Sequence, residues 1–274
     1  MQATANRTGT LEINGTQLYY EDWGAGPALV LVHAGIADGR MWDDQVAVFA
    51  ERHRVIRFDQ RGFGRSAPAS GEFARHEDLR ALLEALDIKR AHLVGCSMGG
   101  KMLIDFVLTN PAAAASLTLV CTGPYAFQFE APRPRQADDL NAAYEAGDAE
   151  RASWLEVELW VDGPQRDPDQ VPAAVRQKVY EMNLQAIRNE LSHETDEQIV
   201  EPHAVGRLGE IQTPTLVIIG DLDNPAAVAG AAFAAATIPG AEKAVMHGTA
   251  HLPNMERPDE FNRILGDFLS RQTA

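Results

Sequence analysis

Cysteine is scarce in this chain, which has only Cys96 and Cys121 among its 274 residues. Both lie near the ends of strand-like segments, and we expect reduced thiols that fill space in a core rather than a disulfide bridge. Long apolar runs are also missing, so no segment has the length needed to span a bilayer. The polar residues 1–10 lack the apolar centre of an export signal. The sequence therefore predicts a cytoplasmic protein.

Acidic residues outnumber basic residues. The chain has 24 lysines and arginines and 39 aspartates and glutamates, which gives a formal net charge of −15. Nucleic acids and anionic membrane surfaces are polyanions, so we expect neither as a partner. The glycine patterns of nucleotide-binding loops are missing, and we expect no nucleotide cofactor. We also expect no metal, because one acidic, histidine-containing group does not reproduce the His-Glu-x-x-His spacing: His193, Glu194, Asp196, Glu201 and His203.

Strand-like and helix-like patterns alternate along most of the chain. Continuous apolar runs, typical of strands buried on both faces, occur at residues 28–32, 55–58, 91–94, 117–120 and 215–219. Residues 11–13 and 17–23 instead alternate apolar and polar side chains around Asn14-Gly15, which predicts an antiparallel hairpin at a sheet edge. Together these patterns predict an α/β fold with a mostly parallel sheet and helices on both faces.

One long segment, residues 124–206, interrupts this alternation. It is rich in alanine and acidic residues, and its helical patterns cover residues 136–146, 152–160 and 172–191. An insertion of this length is too long for a loop. We therefore expect a helical cap at 124–206, inserted into an α/β core made of residues 1–123 and 207–274. Open α/β sheets bind their ligands at the carboxyl ends of the strands, where such a cap would lie.

The stretch from His92 to Gly100 contains the pattern Gly-x-Ser-x-Gly between a strand-like segment and a helical one. A serine at such a sharp turn projects its hydroxyl above the sheet edge. The strained backbone leaves no room for neighbouring side chains, which accounts for Gly95 and Gly99. The pattern alone is common in ordinary turns, so the interpretation depends on the strand-like segment before it and the helical segment after it. We interpret Ser97 as a candidate nucleophile.

A serine hydroxyl needs a base to take its proton and an acid to orient that base. Of the eight histidines, His247 and His251 follow the last strand-like segment, and His251 lies in a loop that is free to turn toward the sheet edge. The acid is expected at the end of a neighbouring strand, where both Asp221 and Asp223 lie. We favour Asp223, which lies past the strand end, and expect Asp221 to anchor the turn. The order Ser97, Asp223, His251 matches the α/β-hydrolase order.

The chain resembles the α/β-hydrolase family along nearly its whole length. Five motifs carry the resemblance, in the order found in the family: His33-Ala34-Gly35, the loop 59–64, the Ser97 turn, the loop 220–225 and the His251 loop. The segments LVHAGIADGRMWDDQ and VIRFDQRGFGRS are similar to those of single-domain esterases and 3-oxoadipate enol-lactonases, and some relatives open acyl-homoserine lactones. The resemblance implies an eight-stranded sheet flanked by helices.

The resemblance also implies an oxyanion hole made of two backbone N–H groups. One belongs to Met98, the residue after the nucleophile, and the other to Gly35 in the loop after the third strand. This chain carries Ala34 where the family usually has glycine. Candidate substrate-binding residues are His33, Phe127, Trp154 and Trp160. The aromatic residues among them have an alternative role, in which they only hold the cap helices to each other and to the core.

Serine at the turn implies an acyl-enzyme route, because dehalogenases and epoxide hydrolases of this family carry aspartate there. We therefore expect a carboxylic ester hydrolase, an esterase or lactonase that acts on a small ester or lactone without a cofactor, with acyl-homoserine lactones among the candidates. The same triad serves C–C bond hydrolases, perhydrolases or haloperoxidases and acyltransferases. These alternatives stay open, as does a non-catalytic ligand receptor. The protein is expected to be a monomer or a homodimer.

Overall fold

The structure is a computed structural model that describes residues 5–130 and 133–272. The strands in these residues are β1 (Arg7–Ile13), β2 (Thr16–Trp23), β3 (Ala28–Val32), β4 (Arg54–Phe58), β5 (Gly71–Phe73), β6 (Ala91–Cys96), β7 (Ala114–Val120), β8 (Thr195–Glu197), β9 (Thr215–Gly220) and β10 (Glu242–Met246). The α-helices are α1 (Asp43–Phe49), α2 (Arg75–Ala85), α3 (Met98–Thr109), α4 (Ala137–Glu145), α5 (Ala149–Glu156), α6 (Ala173–Glu190), α7 (Pro225–Thr237), α8 (Pro253–Glu256) and α9 (Pro258–Leu269).

Eight of the strands form one sheet, in the order β1-β2-β4-β3-β6-β7-β9-β10. β1 and β2 pair antiparallel around Asn14-Gly15, and β2 is antiparallel to β4. The pairs from β4-β3 across to β9-β10 are parallel. The predicted α/β fold, with a mostly parallel sheet of eight strands and a hairpin at its edge, is confirmed.

Helices cover both faces of the sheet and bury apolar side chains against it. In α9, Phe261, Leu265 and Phe268 recur at helical spacing and are buried. They share one apolar cluster with α1, whereas the side chains of α2, α3 and α7 belong to the cluster on the other face. None of the described helices combines the length and the apolar character needed to cross a membrane.

The segment 124–206 contributes α4, α5 and α6. The helix predicted over 152–160 is in fact two pieces, since α5 ends at Glu156 and a π-helical turn continues it over Val157–Asp162. Further along, β8 pairs in parallel with β5 of the core, in a small second sheet that the sequence did not predict. This pairing ties the end of the helical segment to the region that precedes α2.

The carboxyl ends of the parallel strands meet at one edge of the sheet, and the candidate residues follow these ends. Gly35 comes after β3, Ser97 after β6, Asp223 after β9 and His251 after β10. The topology therefore brings four residues that are far apart in sequence to one place, which is where open α/β sheets bind ligands.

Candidate active site

Ser97 lies on a strained turn between β6 and α3. Its backbone has φ 51° and ψ −117°, a left-handed conformation that residues with a side chain rarely adopt. The neighbouring glycines are required by close packing, because a Cβ on Gly99 would lie 2.6 Å from the carbonyl oxygen of His33 and one on Gly95 would lie 2.7 Å from the Gly99 backbone. The fold thus holds this backbone in a costly conformation, as is often seen at functional sites.

Asp223 and His251 form a buried hydrogen-bonded pair. Nδ1 of His251 lies 2.7 Å from Oδ2 of Asp223, and both side chains are almost completely buried. The other carboxylate oxygen, Oδ1, accepts the backbone N–H of Asn224 at 2.6 Å. A carboxylate opposite Nδ1 favours the tautomer in which Nδ1 carries the proton. Nε2 is then an acceptor, which is the state a general base needs.

The second carboxylate of the same loop, Asp221, has a different environment. Its Oδ1 accepts the backbone N–H of Gly248 at 2.6 Å, and its Oδ2 lies 2.7 Å from Nδ1 of His247. The side chain of His247 is 81% exposed. Asp221 therefore connects two loops at the surface, in keeping with the turn-anchoring role expected from the sequence.

Ser97 and His251 line one cavity of about 380 Å³, together with Gly35 and Met98. The residue before the serine, Cys96, places its thiol 3.5 Å from the carbonyl oxygen of His251, so the two loops are in contact. A cavity that contains a serine, an imidazole and a strand-to-helix turn is suited to covalent catalysis by a hydroxyl.

Gly35 and Met98 lie next to each other at this cavity. A Cβ on Gly35 would lie 3.6 Å from the Cβ of Met98. Met98 is the first residue of α3, and the first N–H groups of a helix have no acceptor within it. The preceding residue in the other loop, Ala34, is buried, and its N–H donates to Sδ of Met41 at 3.3 Å. Gly35 and Met98 are therefore neighbours in the lining of the cavity that also contains Ser97.

Of the four predicted substrate-binding residues, Trp160 lines the cavity. Its ring centroid lies 4.5 Å from that of His251, and its carbonyl oxygen accepts the His251 backbone N–H at 3.3 Å. Trp154 lies elsewhere, stacked on Tyr180 with the centroids 4.3 Å apart. The ring of Phe127 is stacked at 5.0 Å on an aromatic ring of α7. Neither Trp154 nor Phe127 is among the described residues that line the cavity, since each is stacked on another aromatic ring.

The imidazole of His33 is completely buried and also does not line this cavity in the described part of the chain. Its Nδ1–H donates to the carbonyl oxygen of Ala34 at 2.8 Å, and its Nε2 accepts the backbone N–H of Gln60 at 2.9 Å. Burial lowers the pKa of His33 to about 4, so the ring is neutral. With both nitrogens used, His33 braces two loops of the core and is not placed to touch a substrate.

The cavity also has polar walls that the sequence did not single out. Two arginines on one side are ion-paired, Arg61 with Asp78 at 2.6 Å and Arg75 with Glu197 at 2.9 Å. Thr195 of β8 also lines the cavity, and five further polar side chains of the wall come from α4, α5 and α6: Tyr144, Glu156, Asn183, Asn189 and Glu190. In the sequence, these five lie on amphipathic helices, where polar residues normally face solvent, so no local signal distinguished them.

Cys121, Asp223 and His251 bring possible metal-ligating atoms within 4.8 Å of one another. A cysteine binds a metal as a thiolate, but burial raises the pKa of Cys121 well above its usual range. Its thiol lies 3.6 Å from the carbonyl oxygen of Ala250. Nδ1 of His251 is already bonded to Asp223. Cys121 and Asp223 are therefore better suited to holding the His251 imidazole in place than to binding a metal ion.

The chain is similar to known proteins over most of its length. Residues 29–264 match the model of the alpha/beta hydrolase family. A 2-hydroxy-6-oxononadienedioate/2-hydroxy-6-oxononatrienedioate hydrolase of Cupriavidus pinatubonensis is 28% identical, over 98% of this chain and 96% of its own. The 3-oxoadipate enol-lactonase 1 of Acinetobacter baylyi is 26% identical, over 96% of this chain and 93% of its own.

Among solved structures, that of Est816, described as an N-acyl homoserine lactone degrading enzyme, is similar with a TM-score of 0.73. It is 27% identical and covers 95% of this chain and 100% of its own. The family match spans most of the chain, and the relatives extend over nearly its full length. The resemblance inferred from the sequence is therefore confirmed, and the chain belongs to the alpha/beta hydrolase family.

Proposed function

We propose that this protein is a serine hydrolase that cleaves carboxylic esters or lactones through an acyl-enzyme intermediate. The observation that supports it best is the shared cavity: Ser97 on its strained turn and His251 paired with Asp223 face the same space as Gly35 and Met98. In this proposal, these residues supply the parts that acyl transfer requires, namely a nucleophile, a base, an acid that orients the base and a pair of backbone donors.

In the proposed reaction, Nε2 of His251 takes the proton of the Ser97 hydroxyl as its oxygen attacks the ester carbonyl. The negative charge that develops on the carbonyl oxygen is stabilised by the N–H groups of Gly35 and Met98, each worth about 3 kcal/mol in comparable enzymes. His251 then donates its proton to the leaving alcohol. Asp223 stabilises the imidazolium between these two steps.

Deacylation uses the same groups in the reverse order. His251 takes a proton from water, and the hydroxide formed attacks the acyl group on Ser97. The second tetrahedral intermediate has its negative charge at the same position as the first, so the two N–H groups serve both halves of the reaction. In a lactone, the leaving alcohol remains attached to the acyl chain and departs with the acid product.

The charge distribution of the cavity favours a substrate without a second carboxylate. The hydrolase of Cupriavidus pinatubonensis acts, by its name, on a dioate. In this chain, the two arginines of the cavity wall are neutralised by Asp78 and Glu197. The described lining therefore offers no free cation to a second carboxylate, and Glu156 and Glu190 would repel one. This supports ester and lactone substrates.

A C–C bond hydrolase with the same triad is the second candidate, and the 28% identity to the Cupriavidus hydrolase over nearly the whole chain favours it. The two candidates differ in the bond that breaks, because one releases an alcohol and the other a carbon acid. Disappearance of the absorbance of 2-hydroxy-6-oxononadienedioate, measured beside ester hydrolysis, separates them. A higher kcat/KM for the dioate than for every ester and lactone tested would replace the first proposal with the second.

Ester hydrolysis is tested with p-nitrophenyl esters of increasing acyl length, and lactone opening with a pH-stat. The Ser97→Ala variant is expected to lose at least about 1,000-fold in kcat/KM, because the substitution removes the nucleophilic oxygen. Ser270→Ala, at an exposed position outside the cavity, is the matched control and should retain full activity. Wild-type protein that releases one equivalent of p-nitrophenol and then stops would identify a receptor rather than an enzyme.

A further inference from the structure

The part of the cavity formed by the helical segment carries hydrogen-bond acceptors held in fixed positions. The Tyr144 hydroxyl donates to Oε1 of Glu156 at 3.0 Å, and Nδ2 of Asn183 donates to Oε2 of the same carboxylate at 2.8 Å. Each carboxylate oxygen can accept a further hydrogen bond. Glu156 is thus fixed in orientation by two neighbours while keeping the capacity to accept from a ligand.

Asn183 supplies a second and independent acceptor. The residue is only 1% exposed and lines the cavity, and its NH2 group is used by Glu156. Its amide oxygen accepts no hydrogen bond from any residue that the structure describes. Asn183 lines the cavity, so this oxygen is available to a donor on a bound ligand.

This wall also carries negative charge that no cation balances. Glu156 and Glu190 form no ion pair with any described residue, unlike Glu197 on the other wall, which is paired with Arg75. Burial raises the pKa of the Glu156 carboxyl group, as expected where negative charge is poorly solvated. A positively charged group in this part of the cavity would be attracted by both carboxylates.

The acceptors lie at a distance from the reacting atoms that a short substrate can span. Glu156 and Ser97 line the same cavity. Glu156 precedes Trp160 by four residues on a continuous helical segment, which is about one turn. The Trp160 ring lies 4.5 Å from the imidazole of His251. A chain of several carbons attached to the scissile ester can therefore reach from Ser97 to Glu156.

We propose that Glu156 and Asn183 form a subsite for a primary ammonium group at the end of the substrate remote from the scissile bond. An ammonium has three N–H donors and no acceptor. It can donate to Glu156 and to the amide oxygen of Asn183 at the same time, while a donor remains for Glu190 or water. This inference rests on the proposed ester or lactone hydrolysis and specifies the substrate class.

The first test compares esters of equal length that differ only in the terminal group. In the acyl series, p-nitrophenyl 6-aminohexanoate is measured beside the heptanoate and the adipate monoester. In the alcohol series, 6-aminohexyl acetate is measured beside heptyl acetate. We expect kcat/KM for the amino ester to exceed that of its neutral partner about tenfold or more in one of the series, with the anionic ester the poorest. No preference for the amino ester in either series would overturn the proposal.

The second test locates the preference with Glu156→Gln. A glutamine at this position removes the negative charge. When the side-chain amide of Asn183 rotates by about 180°, the glutamine NH2 group donates a hydrogen bond to the Asn183 oxygen. We expect the ratio of kcat/KM for the amino ester to kcat/KM for the neutral ester to fall about tenfold. Glu158→Gln, two residues further on and outside the cavity lining, makes the same chemical change and should leave the ratio unaltered. An unchanged ratio in Glu156→Gln, with an unaltered melting temperature, would refute the assignment.

A binding measurement separates this proposal from the hydrolase assignment. Calorimetry with the Ser97→Ala variant and methyl 6-aminohexanoate or methyl heptanoate requires no turnover. We expect the amino ester to bind at least about fivefold more tightly, and equal affinities would count against the subsite. Turnover of p-nitrophenyl acetate, which is too short to reach Glu156, tests the hydrolase assignment by itself. The two failures are therefore distinguishable.

Discussion

Asp223→Asn is a sharp probe of the proposed triad, because both oxygens of this carboxylate already have donors. Oδ2 accepts from Nδ1 of His251 at 2.7 Å, and Oδ1 accepts the backbone N–H of Asn224 at 2.6 Å. An asparagine side chain has one acceptor end and one donor end. A backbone N–H can only donate, so the amide oxygen has to remain at Asn224. The amide NH2 group is then forced to face Nδ1.

A donor opposite Nδ1 reverses the tautomer of His251. Nδ1 becomes the acceptor, and the ring proton moves to Nε2, which can no longer take the proton of Ser97. The same reversal lowers kcat about 10,000-fold in a serine protease. We expect a loss of similar size in kcat/KM, equivalent to about 5 kcal/mol of transition-state stabilisation. The fold should survive, because asparagine has nearly the same shape as aspartate.

Asp221→Asn is the matched control for this experiment. Its amide oxygen can stay on the backbone N–H of Gly248, and the exposed ring of His247 is free to turn into solvent. We expect a change of no more than about twofold, as for most surface substitutions. Hydrolysis of p-nitrophenyl acetate and thermal unfolding are measured for both variants. Asp223→Asn with activity within tenfold of wild type, or a larger loss in Asp221→Asn, would show that the carboxylate roles are wrong.

Three further predictions concern stability. Ser97→Gly should have a free energy of unfolding about 1 kcal/mol above that of Ser97→Ala, because φ of 51° strains any residue with a Cβ; equal values in urea titrations would contradict this. Gly99→Ala should lower the free energy of unfolding by about 2 kcal/mol or more, because the new Cβ would lie 2.6 Å from a carbonyl oxygen. The control is Gly9→Ala, whose Cβ would meet no described atom within 4 Å, and its free energy of unfolding should be nearly unchanged in the same titration. His33 has a folded pKa of about 4 and an unfolded value of about 6.5, so its stabilising contribution is present above pH 6.5 and is lost as the pH falls toward 4. Wild type should therefore lose about 2 kcal/mol more than His33→Gln between pH 7 and pH 5, and parallel pH profiles would argue against a buried neutral ring.

The fold was predictable because its strands carry their own signal. Buried parallel strands such as β3, β6 and β9 are continuous apolar runs bounded by turns, and each is visible in a short window of sequence. α7, at Pro225–Thr237, gave no such signal, because its alanine-rich sequence is apolar on every side and lacks helical periodicity. β5 and β8 are three residues each and pair across more than a hundred positions, so no local pattern could identify them.

The candidate site was predictable to different degrees for its different parts. Ser97, Asp223 and His251 each follow a strand end, and topology alone brings such positions to one edge of a sheet. The direction of the side chains on the helices could not be predicted from the sequence, because it depends on how each helix is rotated about its axis. Trp160 lines the cavity and Trp154, on the preceding turns, stacks on Tyr180 instead. Aromatic residue type alone did not distinguish the two.

The central claim is that Ser97 is the covalent nucleophile, and labelling with a fluorophosphonate tests it most directly. Intact-mass measurement followed by peptide mapping gives the number of adducts and the residue that carries each. We predict one adduct per chain, on Ser97, with p-nitrophenyl acetate turnover lost in proportion to the labelled fraction. Full turnover by the labelled protein, or inactivation with the adduct on a different residue, would contradict the assignment of Ser97.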